Sequence, residues 1–200
     1  MNDIILKTAI EAAQEGSGVR VHEQAYLPVT SIVFSPELLK YCEANACGFF
    51  NRSWTCPPAA ESLEKQREKI LSYKTAFVFT TKHDLEDSFD IEAMDRGKEM
   101  HTRLLLEFRS RVAEHQHNKT DTPLVSFILY GAGSCPVCKD QNGKTICSYP
   151  KPCPFPDKKI GSIEAAGINV TELSKAAGIA YNNGPNTVTY FSMMIYNDCS

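Results

Sequence analysis

Seven of the eight cysteines in this chain fall in two short groups, and any fold it adopts must present both. Cys42, Cys47 and Cys56 lie within fifteen residues, and Cys135, Cys138, Cys147 and Cys153 lie within nineteen. Only Cys199 stands apart. The stretch "RSWTCPPAA", residues 52–60, sets the tone. Two consecutive prolines fix φ and delete two backbone donors, so the chain beyond Cys56 is neither helix interior nor central strand. A thiol held so stiffly suits holding something better than filling a core.

The rest of the chain bounds what the cysteines can be doing. The first residues, "MNDIILKTAIEAAQEG", are amphipathic and acidic, without the basic start and apolar centre of a signal peptide. The expected location is therefore the cytoplasm. Disulfides are disfavoured in a reducing compartment, and clustered cysteines there read as metal ligands or redox groups. With 22% charged residues and net charge −3, the chain lacks the basic balance of a nucleic-acid binder. No apolar run is long enough for a membrane span. GxGxxG, P-loop, GxSxG and HExxH patterns are all missing, which argues against the common nucleotide-dependent and serine-hydrolase chemistries.

Periodicity predicts helices over 3–15, 35–44, 59–73, 89–115 and 169–179, and strands over 75–81, 123–131 and 187–196. Ser35 with Pro36 reads as a helix start, and Asn169 or Thr171 with Gly178 brackets another. Residues 19–34 are β-rich but broken by Pro28. The apolar run "PLVSFILYG", 123–131, suggests a buried central strand. Residues 114–122 read as an exposed connection. The expected fold is α+β or α/β: one domain over residues 1–200, with a small mixed sheet flanked by helices. Two cysteine-rich loops, at about 42–58 and 131–160, would meet at one edge.

Within the second loop, Cys135 and Cys138 form a C-x2-C pair, and Cys147 and a Cys153-Pro154 step follow. That combination matches ferredoxin-type cluster binding in kind, though not in register. A four-cysteine structural zinc site is the rival, but zinc ribbons present two short pairs, and the gap from Cys147 to Cys153 is long for a knuckle. A dithiol without metal is the third reading. Cys42, Cys47 and Cys56 are three ligands where a tetrahedral site needs four. A cysteine from elsewhere, another side chain or nothing completes them, and the last leaves a metal position open to a small molecule. Cys42, on a predicted helix, also reads as a small buried hydrophobe. Arg52, Lys158 and Lys159 are cations close to the ligands in sequence, and Trp54 is placed to shield Cys56. The five histidines are scattered, and His101 reads as a surface position on the long helix.

The segments "ACGFFNRSWTCPPA" and "GAGSCPVC…CPFPDKKIGSIEAAGINV" resemble a family of uncharacterised, predicted metal-binding proteins of anaerobic bacteria and archaea. That family pairs a Cys-Pro-Pro motif with a Gly-Ser-Cys-x-x-Cys loop. It ends in a Ser-x-Glu-Ala-x-Gly-Ile segment, here Ser162, Glu164, Ala165, Gly167 and Ile168, and a Tyr-Phe strand. The resemblance covers most of the chain. It implies metal binding by Cys47, Cys56, Cys135, Cys138, Cys147 and Cys153, with Cys42 beside them, and no particular reaction. It departs at Phe50, Asn51 and Arg52, where the family has Tyr-Gly-Lys, and at Ile160 and Gly161, where it often has Arg-Pro. The expected cofactor is one or two 4Fe-4S clusters, with zinc in an interaction module as the alternative. The expected partner is a redox protein or a small molecule, with neither nucleic acid nor membrane.

Overall fold

The computed structural model describes residues 3–117 and 126–197. Helices α1 (Asp3–Ser17), α2 (Leu39–Glu43), α3 (Leu63–Leu71), α4 (Ile91–His117) and α5 (Val170–Ala177) surround a mixed sheet. Its strands are β1 (Gln24–Pro28), β2 (Thr75–Asp84), β3 (Phe127–Gly131), β4 (Gly161–Ser162) and β5 (Thr187–Tyr196), in the order β1-β2-β5-β3-β4. Only the β3–β4 pair is parallel. The fold is α+β.

Strand alternation splits the core in two. Phe77, Phe79, Met194 and Tyr196 point to one face and pack with Leu6 and Ile10 of α1 and Leu104 and Phe108 of α4. Val78, Met193 and Ile195 point to the other face, against Ile70 of α3, Leu173 of α5 and Ile163 and Ile168 after β4. β2 and the far half of β5 are buried on both faces, which explains their near-continuous apolar runs. The long helix starts at Ile91 because the Asp90 carboxylate accepts from the amides of Ala93 (2.9 Å) and Glu86 (3.1 Å).

Several boundaries differ from the sequence reading. The central strand is β5, while β3 lies next to the two-residue edge strand β4. The helix expected from 59 begins at Leu63, because Pro57 and Pro58 hold the preceding turn and the Ser62 hydroxyl caps from outside it. Ser35 is no side-chain cap. Its hydroxyl accepts from Asn169 Nδ2 at 3.4 Å, and the chain enters a 3-10 turn, Pro36–Leu38, before α2. β1 ends at Pro28, on an edge strand where a missing donor costs little. Residues 123–125, most of the 114–122 connection and Cys199 fall outside the described residues.

His101 corrects the surface expectation most sharply. It is fully buried where α4 crosses the sheet. Its Nδ1 lies 2.9 Å from Thr81 Oγ1 of β2, and its Nε2 lies 2.8 Å from Ser192 Oγ of β5. One ring thus pins the helix to two strands. Burial pushes its pKa from 6.5 down to about 3. The folded chain keeps the ring neutral while the unfolded chain takes up the proton. The contribution is therefore full above the unfolded pKa and is lost as pH falls toward the folded one, by up to about 1.4 kcal/mol per pH unit. The urea midpoint of metal-free protein should fall between about pH 6.5 and about pH 5, before most carboxylates titrate, and His101→Gln should flatten that slope. An unchanged slope in the variant would show that other groups carry it.

Candidate metal centres

β3 ends at Gly131, where a Cβ would come within 2.6 Å of the Leu105 side chain, and Gly133 turns the chain at φ +80°. Cys135 and Cys138 follow. A small hairpin then returns the chain on itself: Lys139 bridges Thr145, and the Asp140 carboxylate accepts from the amides of Asn142 and Lys144. The Ile146 amide donates to the Cys138 carbonyl at 3.1 Å, which brings Cys147 back beside Cys138. Cys135, Cys138, Cys147 and Cys153 all line one narrow cavity, walled further by Trp54, Ile146, Phe155 and Lys159. The free space is about 10 Å³, so the side chains themselves fill it.

The environment of these thiols is partly prepared for negative charge. The Ile160 amide donates to Cys135 Sγ at 3.4 Å. Burial pushes the Cys135 thiol up, and the Ile160 and Val137 amides oppose it. Burial, then the three neighbouring thiols, raise Cys138. Among the described residues, no three Cys, His, Asp or Glu side chains close on the position of one metal ion.

The first group is presented differently. Cys42 rides on α2. Beyond it Asn45, Gly48 and Asn51 all take positive φ, and Asn45 Oδ1 accepts from the Phe50 amide at 3.0 Å. These turns leave Cys47 exposed and bring Cys56 back into the interior at 7% exposure. Asn51, at φ +53°, stands where the family resemblance puts glycine, and asparagine tolerates that conformation. Cys42, Cys47 and Cys56 all line one open cleft of about 740 Å³. Its volume is that of a small-molecule site.

Ile91, Met94 and Lys98 of α4 line the same cleft, together with Tyr190 and Phe191 of β5. Burial pushes the Cys56 thiol up to about 11, against hydrogen bonds from the Ser53 and Thr55 hydroxyls. Burial, then Cys47 and Glu164, raise Cys42.

The cleft exists because β3 is short. β5 pairs with β2 along its whole length, but β3 covers only its Met193–Tyr196 end. Residues 189–191 of β5 therefore line the cleft, as do Ala132, Gly133 and Ser134 beyond the end of β3.

The two spaces share one wall. Ser134 lines the cleft and Cys135 the cavity, while Cys56 lines the cleft and Thr55 the cavity. The Cys135 amide donates to Thr55 Oγ1 at 3.1 Å across the two loops. The partition is a single layer of backbone. Two further contacts fasten the loops: the Trp54 indole N–H donates to the Lys151 carbonyl at 2.9 Å, and Tyr149 Oη donates to Asn51 Oδ1 at 3.1 Å. Trp54 thus lies against the four-thiol cavity and packs edge-on to Tyr149, instead of shielding the cleft side of Cys56.

Arg52 is exposed and away from the cleft lining, and Lys159 belongs to the four-thiol cavity. The cation of the cleft is Lys98, which no sequence motif marked. Its ammonium lies against Gly133, 3.0 Å from where a Cβ would stand. Glu164, from the Ser-x-Glu segment, also lines the cleft and accepts from Ser162 Oγ at 2.8 Å. His22, His83, His101 and His115 line neither space.

Residues 25–196 match the family described as predicted metal-binding proteins, DUF2284, and the chain belongs to that family. No curated protein and no solved structure matches it.

Thiol chemistry tests this geometry directly. In metal-free folded protein, a thiol-alkylating reagent should label Cys47 first and Cys56 last. At pH 8 a pKa of about 11 leaves a thiolate fraction on the order of one in a thousand at Cys56. Peptide mapping of a time course reads the order. Equal rates at Cys47 and Cys56 would mean that Cys56 does not sit in the wall.

Proposed function

We propose that this family member is an iron–sulfur protein with two centres, one closed and one open to a small substrate. The reading rests on one observation above all: the seven thiols divide between two different spaces on the two sides of one wall. Cys135, Cys138, Cys147 and Cys153 would hold a 4Fe-4S cluster with a full set of protein ligands. Cys42, Cys47 and Cys56 would hold a second cluster with one position left to the cleft. Such a group supplies one-electron redox capacity and, where an iron lacks a protein ligand, a Lewis-acidic position.

The donor set supports iron–sulfur chemistry over a lone zinc ion. A tetrahedral zinc needs its four sulfurs about 3.8 Å apart, whereas a cluster takes one thiolate at each of several irons and spreads them wider. The thiols line a common space without closing on one point. The amides at Cys135 and the hydroxyls at Cys56 offset part of the burial that raises both thiols, which a thiolate-bound metal of either kind needs. A structural zinc in the four-thiol cavity is the second reading, favoured by the small space there.

The chain's own groups give the cleft its selectivity. Lys98 offers a positive charge to an anionic group of a bound molecule. Tyr41, Phe50 and Met94 give it apolar walls. Tyr190 is committed elsewhere: its hydroxyl donates to the Met94 carbonyl at 2.6 Å, and burial raises its pKa to about 12.

Protein reconstituted without oxygen should be brown and carry about eight irons and as many sulfides per chain, as two four-iron clusters require. Cys56→Ala should remove roughly half of both and leave the rest bound. Colourless protein holding zinc, or a Cys56→Ala variant that loses all its iron or none, would sink the two-centre reading.

A further inference from the structure

We infer that the outer face of the four-thiol cavity is a docking surface for an acidic electron-carrier protein. The inference deepens the iron–sulfur reading and rests on it. Its first ground is charge. Residues 131–160 hold Lys139, Lys144, Lys151, Lys158 and Lys159 against only Asp140 and Asp157. That is a net +3 in a chain of net −3, so the remaining residues carry −6. All five lysines are exposed. Among the described residues none of them forms an ion pair. Lys139 donates only to Thr145 Oγ1 at 2.8 Å, and Lys158 lies 5.8 Å from the centre of the Phe155 ring.

The second ground is the apolar pair in the same segment, with Lys158 over the Phe155 ring and Lys159 in the cavity lining. Ile146 and Phe155 both line the four-thiol cavity from within, and both show 43% of their surface to solvent. They are the thin apolar cover between the thiols and the outside. An apolar centre inside a charged rim is the anatomy of a protein interface, with the rim steering the encounter. Duplex nucleic acid offers phosphates for the lysines but no apolar patch for Ile146 and Phe155. The far side of the same cavity is the wall shared with the open cleft. A carrier seated here would lose one electron as the group held by the four thiols gains it, on the side away from the cleft.

Zero-length carbodiimide cross-linking of the anaerobic iron-loaded protein to a small acidic [2Fe–2S] ferredoxin tests this. The links should map to the five lysines of residues 131–160. Binding should weaken about tenfold or more between about 0.05 M and about 0.3 M salt. Lys144→Glu combined with Lys151→Glu should weaken it by a similar factor, while Lys7→Glu on α1 leaves it unchanged. Links mapping elsewhere, salt-independent binding, or tighter binding to duplex DNA or anionic vesicles than to the ferredoxin would overturn the surface. Iron and sulfide are counted on the same sample. With iron present and no docking, the surface fails alone. With zinc in place of iron, the surface and the reading beneath it fail together.

Discussion

A hydrogen bond between two loops far apart in the chain organises everything else. The Cys135 amide gives its proton to the Thr55 hydroxyl, and by that bond the two cysteine segments become two sides of one wall. Neither segment has a helix or strand of its own at that point, so neither buries enough apolar surface to hold its shape alone. Each supplies the polar partners that the other lacks. Trp54 and Asn51 reach from the first loop, and Lys151 and Tyr149 answer from the second. Thiols delivered by a helix and thiols delivered after a strand therefore end up back to back.

The sheet makes room for this arrangement by being uneven. A long central strand beside a short one leaves a notch, and the notch becomes the cleft. The buried ring of His101 holds α4 across β2 and β5 near that notch, so the wall carrying Lys98 is anchored to the strands it faces. A rigid scaffold with functional groups on the loops above it is a general solution to placing chemistry. Here the scaffold is two layers of helix on a mostly antiparallel sheet.

Much of this was legible in the sequence. The cysteine spacing divided the thiols into the two groups that the fold separates. The capped helix at 170–177 and the strand at 187–196 were set by local signals: Asn169 and Gly178 for one, an unbroken β-rich run for the other. What escaped was long-range. Nothing local says that β3 stops short, so the cleft was invisible. Lys98 looked like any helix-surface lysine, because its importance comes from Gly133, thirty-five residues away. His101 sat in an amphipathic pattern, and only the hydroxyls of Thr81 and Ser192 explain how an imidazole is tolerated at full burial. Trp54 misled for the same reason: Cys56, two residues on, lines the cleft, while Trp54 itself lies against the cavity.

That last placement gives the molecule an optical handle. Trp54 is the only tryptophan in the chain, and it stands against one thiol group and behind the wall from the other. Its emission therefore responds most strongly to the compartment it lines. A strongly absorbing group held by the four thiols would quench it at close range, whereas a zinc ion there would not. Events in the cleft reach it from behind the wall, at a longer distance. One indole that faces one of the two spaces thus offers a signal weighted toward that space.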